Sequence, residues 1–384
     1  MSGRATKQRK NIVPILAALL SLAGTACAAD IHDYRGPIID AHAHIRFGET
    51  DGLMPNQPVG TDMLLKLDRA AGVTTSALIV IARKGEPEKT REQNDRVMAA
   101  AGAGRSFYPV VSVHPGDGEA ALAELERVAK LGAKEVKLHP NTQNFDVADP
   151  EVGTVVQKCG ELGLVVLFDS YKPWDSDEMG KLLLLAVRHP KTKLVLAHMG
   201  FSHFREAVSF AVLRKLGMGD NAWFDISAIV STYVGSPVES ELVWTLRKVG
   251  TDRVLFGSDW PVYSPAEAVE AVRHLGLTGA EQKQIFHDNA VRLLGVAGPA
   301  PEGAAIGSPG GSAEAVPEYG SFRLSQVASR ILALARSRYY GVIMAGLCRS
   351  PRAQNSGHTR SNRRLEPVAW AKCIGPPIPS LAAR

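Results

Sequence analysis

Between Ile31 and Val296, short apolar runs alternate with segments in which apolar residues recur every three or four positions. The first pattern is that of a buried strand, the second that of an amphipathic helix. Eight runs predict strands: PIIDAHAHI from Pro37, TSALIVI from Thr75, FYPVVSVHP from Phe107, EVKLHP from Glu135, GLVVLFDS from Gly163, KLVLAHMG from Lys193, AWFDISAI from Ala222 and RVLFGSDW from Arg253. Among the linking segments, DMLLKLDRAAG, EAALAELERVAKLG, VGTVVQKCGELG and SELVWTLRKVG each carry an apolar stripe and close on glycine, the usual helix stop. Strand and helix in alternation predict an α/β fold of parallel strands joined by crossover helices. Eight strands within residues 30–296 fit a (β/α)8 TIM barrel, whose usual size is about 250 residues. A doubly wound open sheet is the competing fold, but no G-x-G-x-x-G follows the first run.

Both ends depart from this pattern. Arg4, Lys7, Arg9 and Lys10 precede an uncharged stretch, Asn11 to Ala29, that ends in small residues with Ala26 and Ala28 at the small-x-small site. That order predicts a secretory signal peptide over residues 1–29 and a periplasmic or secreted body. An uncleaved anchor, or a lipoprotein lipidated at Cys27, is the alternative and would bring membrane contact. From Ala297 the chain turns Gly/Pro/Ala/Ser-rich, a composition too poor in apolar surface to offset its ordering entropy. Leu324, Val327, Ile331 and Leu334 then recur at helical spacing among arginines, so the basic tail 297–384 is expected to hold one helix near 321–346.

Composition sharpens this division. Hydrophobic residues make up 45% and charged residues 22%, as in ordinary globular proteins. The net charge of +5 suggests nucleic acid until it is located. Residues 1–29 carry four basic and no acidic side chains, and residues 297–384 eleven basic and four acidic, which leaves 29 basic against 35 acidic in the body. A mildly acidic body argues against a nucleic-acid enzyme and leaves a small molecule as the expected partner. The cysteines, Cys27, Cys159, Cys348 and Cys373, form no C-x-x-C pair, which excludes a cysteine zinc knuckle and a disulfide scaffold.

In a barrel the chemistry sits at the C-terminal ends of the strands. Those ends carry His42 and His44 on the first, Lys137 and His139 on the fourth, Asp169 on the fifth, His198 on the sixth and Asp259 on the eighth. Residues two apart in a strand share a face, so His42 and His44 point together, as do Lys137 and His139. Two polar side chains facing a barrel core are unfavourable without partners, and a divalent ion would satisfy them. His114 ends the third strand, where a cap on the following turn and a functional role are equally open. Tyr171, Trp174, Phe201, His203 and Trp260 lie just beyond strand ends and are expected to line a substrate pocket.

Taken together, IIDAHAH, KLHPNTQNFDVADP, LVLAHMG and VLFGSDWP resemble the amidohydrolase superfamily, in its amidohydrolase-related branch of metal-dependent TIM-barrel enzymes. The resemblance covers residues 31 to about 296. It implies a metal held by His42, His44 and Asp259, with His198 near the reacting group. The branch commonly ends its fifth strand in a histidine, whereas this chain offers Asp169. A site of two histidines and two aspartates, Asp169 being the fourth ligand, remains suited to zinc and is hard enough to accept manganese. Lys137 or His139 would then hold an anionic substrate group.

These residues predict a metal-dependent hydrolase of a small amide, ester or lactone working through metal-activated water, with Asp259 or His198 shuttling the proton. Decarboxylation of an aromatic or unsaturated carboxylic acid is the alternative within the branch. A degenerate barrel that binds a small molecule without turnover is the alternative outside it, motivated by Asp169.

Overall fold

The computed structural model describes residues 33–47, 59–102 and 106–296. The expected signal peptide, residues 1–29, and the tail 297–384 with its expected helix lie outside the described residues. Strands β1 (Ile38–Asp40), β2 (Val73–Ile79), β3 (Phe107–Ser112), β4 (Glu135–Leu138), β5 (Val165–Asp169), β6 (Leu194–Ala197), β7 (Ala222–Asp225) and β8 (Val254–Leu255) form one parallel sheet in sequence order. The ring closes where Ala41 N donates to Phe256 O at 2.8 Å and His44 N to Trp260 O at 2.8 Å. This is the (β/α)8 barrel that the alternating pattern predicts.

The crossover helices are α1 (Thr61–Ala71), α2 (Pro87–Gly102), α3 (Glu119–Lys130), α4 (Pro150–Leu162), α5 (Glu178–Arg188), α6 (Ala207–Lys215), α7 (Glu239–Val249) and α8 (Pro265–His274), followed by a closing helix α9 (Asn289–Leu294). Alternation along each strand builds two apolar layers. Val166 and Phe168 of β5 join Val155 and Val156 of α4 in the layer between sheet and helices. Val165 and Leu167 join Ile39, Val110, Val195 and Leu255, with Leu293 and Leu294 of α9, in a separate inner cluster. Gly163 ends α4 at φ 70°, the left-handed conformation that glycine adopts most easily.

Every strand but β2 is shorter than its apolar run, and at β1 and β8 this leaves site residues beyond the strand. β1 stops at Asp40, so His42 and His44 lie beyond it, with only isolated bridges at Ala43 and His44. β8 spans two residues, and Asp259 follows it in a left-handed conformation at φ 62°. The chain leaves the ladder where it carries its most polar side chains, which frees their backbone to aim them into the mouth. No helix among the described residues is long and apolar enough to cross a membrane.

Candidate metal centre at the barrel mouth

The first and last strands are tied together beneath the site by Asp40, whose Oδ1 accepts from His42 N at 3.0 Å and Ser258 N at 2.9 Å. Asp259 N donates to His42 O at 2.7 Å, which fixes the aspartate relative to the histidines. His198, directly after β6, is left-handed as well, at φ 60°. A left-handed non-glycine residue is disfavoured by about 1–3 kcal/mol, and such strain clusters at functional sites. Ser170 braces the turn after His198, accepting from Gly200 N at 2.9 Å while its hydroxyl donates to Ala197 O.

His42 Nε2 and His44 Nε2 lie 3.3 Å apart, and Asp259 Oδ1 is 3.6 Å from each. Ligand atoms of these three residues fall within 4.8 Å of one another, close enough to share an ion. Asp225 Oδ2 lies 2.9 Å from His42 Nδ1, so that nitrogen carries the proton and Nε2 presents its lone pair to Asp259 and His44. Burial pushes the His42 imidazole down to about 3, and Lys137 adds to the effect against the pull of Asp225. His44 is held well below the usual range by burial and by His42. Two neutral imidazoles and a carboxylate are a donor set that fits zinc-type chemistry, and a carboxylate on the outer nitrogen is its customary support.

Lys137 is fully buried, with Nζ 3.1 Å from His42 Nε2, and burial lowers its pKa. The structure thus places it at the histidine pair itself. Burial raises Asp259 to about 6, against the opposing pull of His198 and Lys137. Asp169 turns to the other side of the cavity: its Oδ2 lies 3.2 Å from His198 Nε2 and 3.4 Å from His139 Nε2, and its Oδ1 accepts from Tyr171 N at 3.2 Å. His139 Nδ1 accepts from Thr142 N at 3.3 Å, which leaves Nε2–H to face Asp169. Burial brings His139 down to about 4, so it is neutral.

His198 is the exception among these histidines. Its Nδ1 lies 3.0 Å from Ser227 O, a carbonyl that can only accept, and its Nε2 faces the Asp169 carboxylate. Burial alone would lower its pKa, but Asp259 and Asp169 outweigh burial and push it up to about 9. Burial likewise opposes ionisation of Asp169, yet His139, His198 and Lys137 keep its carboxyl well below the usual range. The pair is therefore an imidazolium held against a carboxylate.

Of the expected pocket residues, Tyr171 and Phe201 meet at 4.7 Å between ring centroids, and Tyr233 extends the row at 6.0 Å from Phe201. Trp260 is buried in the barrel wall. Trp174 is 70% exposed, and His203 pairs with Glu206 at 3.2 Å on the surface. His114 spends one ring nitrogen on its own turn, accepting from Gly116 N at 3.0 Å, and the other on Gln143 O, beyond β4, at 2.8 Å. The structure adds Asp225, Ser227 and Tyr233, which the sequence reading left out. Asp225 and Ser227 sit two apart at the end of AWFDISAI, the same spacing that singled out His42 and His44.

The model of the amidohydrolase family described as "Amidohydrolase" matches residues 39–296, more than half of the chain. Solved structures share the fold. The 2,6-dihydroxybenzoate decarboxylase from Rhizobium is 18% identical with a TM-score of 0.55, covering 67% of this chain and 98% of its own. A dihydroxybenzoic acid decarboxylase from Polaromonas sp. JS666, with bound manganese and the inhibitor 2-nitroresorcinol, is 18% identical with a TM-score of 0.54, covering 68% and 97%. A protein from Pseudomonas putida described as a candidate 2-pyrone-4,6-dicarboxylic acid hydrolase is 22% identical with a TM-score of 0.52, covering 67% and 97%.

Proposed function

Because the chain belongs to the amidohydrolase family, we propose that it is a metal-dependent enzyme that removes carbon dioxide from a small aromatic or unsaturated carboxylic acid. The observation that carries this reading is the proton inventory of His198, which holds a proton on each ring nitrogen at the mouth of the barrel. Decarboxylation leaves an electron pair on carbon and needs an acid to quench it. A divalent ion on His42, His44 and Asp259, zinc or manganese, would supply an electrophilic anchor for the substrate's oxygen atoms.

The remaining work belongs to the chain's own side chains. Lys137 Nζ, buried at the histidine pair, offers a positive charge to the carboxylate. The row of Tyr171, Phe201 and Tyr233 offers flat apolar surface to a planar ring and restricts water. As the bond between ring carbon and carboxylate breaks, its electron pair stays on carbon, and the Nε2 proton of His198 moves to that carbon. Carbon dioxide leaves, and the imidazole regains its proton from solvent, drawn by Asp169.

Hydrolysis of an amide, ester or lactone is the second reading, and Asp259 favours it. Its carboxylate, raised to about 6 by burial, is ionised at neutral pH yet basic enough to take a proton from an attacking water. The two readings part in one experiment. The metal-loaded protein is incubated in D2O with planar acids and, separately, with esters, lactones and amides. Release of carbon dioxide with deuterium at the vacated carbon is expected; cleavage of the second set alone would establish the hydrolase, and no turnover of either would leave a binding barrel. On the pattern of residues 1–29 we also place the working enzyme outside the cytoplasm, with a mature chain starting near Ala29 or Asp30 by mass spectrometry.

A further inference from the structure

One hydroxyl lies where the two site histidines and the seventh-strand carboxylate meet. Ser227 Oγ is 3.1 Å from His42 Nδ1 and 2.9 Å from His198 Nδ1, and it contacts Asp225 Oδ1. All four residues are buried. A serine hydroxyl has one proton to give and two lone pairs to accept with. Asp225 Oδ1 can only accept, and it already takes the amides of His198 and Ser227, each at 3.0 Å. Beside an ionised carboxylate the hydroxyl proton goes to Asp225, since charge-assisted bonds are the stronger ones.

That choice settles the rest. With its proton spent, Ser227 Oγ faces both imidazoles as an acceptor, so each Nδ1 must be the N–H. His42 Nδ1 then shares its proton between Asp225 Oδ2 at 2.9 Å and Ser227 Oγ. His198 Nδ1 has only Ser227 O and Oγ to donate to. The histidine ring centroids lie 4.9 Å apart with the planes inclined at 29°, so one small group can hold both by the same edge. His42, His198 and Asp225 also have the spacing of a metal triad. The hydroxyl at their focus and the protonated nitrogens facing it make them a hydrogen-bond hub instead.

We infer that Ser227 is the positioning residue of this site, whose hydroxyl, directed by Asp225, holds the rings of His42 and His198 together by their Nδ1–H edges. It touches no reacting atom. Its effect is to turn the His42 Nε2 lone pair toward His44 and Asp259, and the His198 Nε2–H toward Asp169 and the cavity. For the metal this inference rests on His42 being a ligand; for the ring positions it rests on neither the metal nor the reaction.

The test uses the full chain, wild type against Ser227→Ala, Ser227→Cys and Ser227→Thr. The Nδ1–H proton shifts of His42 and His198 in the metal-free protein report the hydrogen bonds that these groups donate. Both signals are expected at similar positions in wild type and Ser227→Thr, and displaced in Ser227→Ala, where each group loses one acceptor. Zinc affinity by chelator competition should fall about 10- to 100-fold in Ser227→Ala, as for other groups that orient a ligand, and recover in Ser227→Thr. If Ser227→Ala fails to fold, Ser227→Cys decides, since it fills the space with a poor acceptor and should show the same displacement. Unchanged Nδ1–H shifts in a folded Ala or Cys variant would overturn the inference, whatever the activity. Displaced shifts with unchanged zinc affinity would uphold the hub and count against His42 as a ligand, and so against the proposed function.

Discussion

A Cβ atom at Gly257 would lie 2.6 Å from the Cβ of His42 and 2.9 Å from that of Ser227. The segment after β8 reaches the histidine and the serine hub only because residue 257 has no side chain, and that approach is what delivers Asp259 to the pair.

Gly257→Ala is therefore expected to push the eighth strand outward. Overpacking of this kind destabilises by about 1–3 kcal/mol, and the displaced Asp259 should weaken metal binding as well. Chemical denaturation and a zinc titration check both. A variant with wild-type stability and affinity would mean that the strands have room the distances deny.

His198→Gln removes the imidazolium while keeping a polar group of similar reach. Turnover is expected to fall about 10²- to 10⁴-fold, the usual contribution of a general acid, with little change in metal affinity because His198 is not among the close ligand atoms of His42, His44 and Asp259. Steady-state kinetics and competition titration measure the two arms. Loss of metal without loss of chemistry would reverse the roles.

The barrel was legible because its strand runs and most of its helix stripes obey a simple period, and the candidate metal triad because it follows strand ends with an H-x-H. What hid was polarity in places where hydrogen bonds, not apolar contact, hold the structure. Helix α2 buries Thr90 and Asn94 beside Val97, so its stripe is half polar. Asn94 fits there because it trades two bonds with the backbone of Ser112, at 2.9 and 3.0 Å, a pairing that no period reveals. Asp225 and Ser227 share the two-apart spacing of His42 and His44, but what they hold across the barrel shows only in the hydrogen bonds. The strand assignment also misjudged local geometry. His198 and Asp259 owe their placement to left-handed backbone, a choice made by the closed ring against local preference.

Asp68 on α1 offers a test of pH that lies outside the metal site. Its Oδ2 accepts from Ser76 Oγ at 2.8 Å, while Oδ1 is buried without a partner. Burial, with Asp40 adding to it, raises its pKa to about 8. Between about pH 4 and 8 the folded protein therefore keeps a proton that the unfolded chain has lost, and stability falls as pH rises through that window, by up to ~1.4 kcal/mol per unit. The contribution is complete below about pH 4 and gone above about pH 8. Asp68→Asn keeps the acceptor for Ser76 and removes the titration, so urea melts at pH 5 and pH 8 should differ less in the variant. Parallel pH dependence in the two proteins would sink the assignment.

A chain ending at Gly298 retains all eight strands and α9, whose Leu293 and Leu294 join the inner apolar cluster. It is expected to melt cooperatively at the temperature of the full chain. A fall of more than a few degrees would show that residues 299–384 contribute to the barrel's stability.

Asp169 is where the sequence leaves the pattern of the family it resembles, and its surroundings argue for a role beside the metal rather than on it. Oδ2 is engaged by His198 and His139 and Oδ1 by the amide of Tyr171, so neither oxygen is idle. Asp169→Asn preserves shape but removes the charge that keeps His198 protonated. If the aspartate anchors His198, zinc affinity should stay within a few-fold while turnover drops and the alkaline limb of the rate profile, where His198 loses its proton, moves to lower pH. If it is a fourth ligand, affinity should fall sharply in Asp169→Asn, and Asp169→His should restore it with a shift from manganese toward zinc, since imidazole is the softer donor. Titration of the metal-free protein with both ions, run on wild type and the two variants beside their pH profiles, separates the roles. The hydrogen bonds favour the anchor, and a sharp loss of metal in Asp169→Asn would refute it.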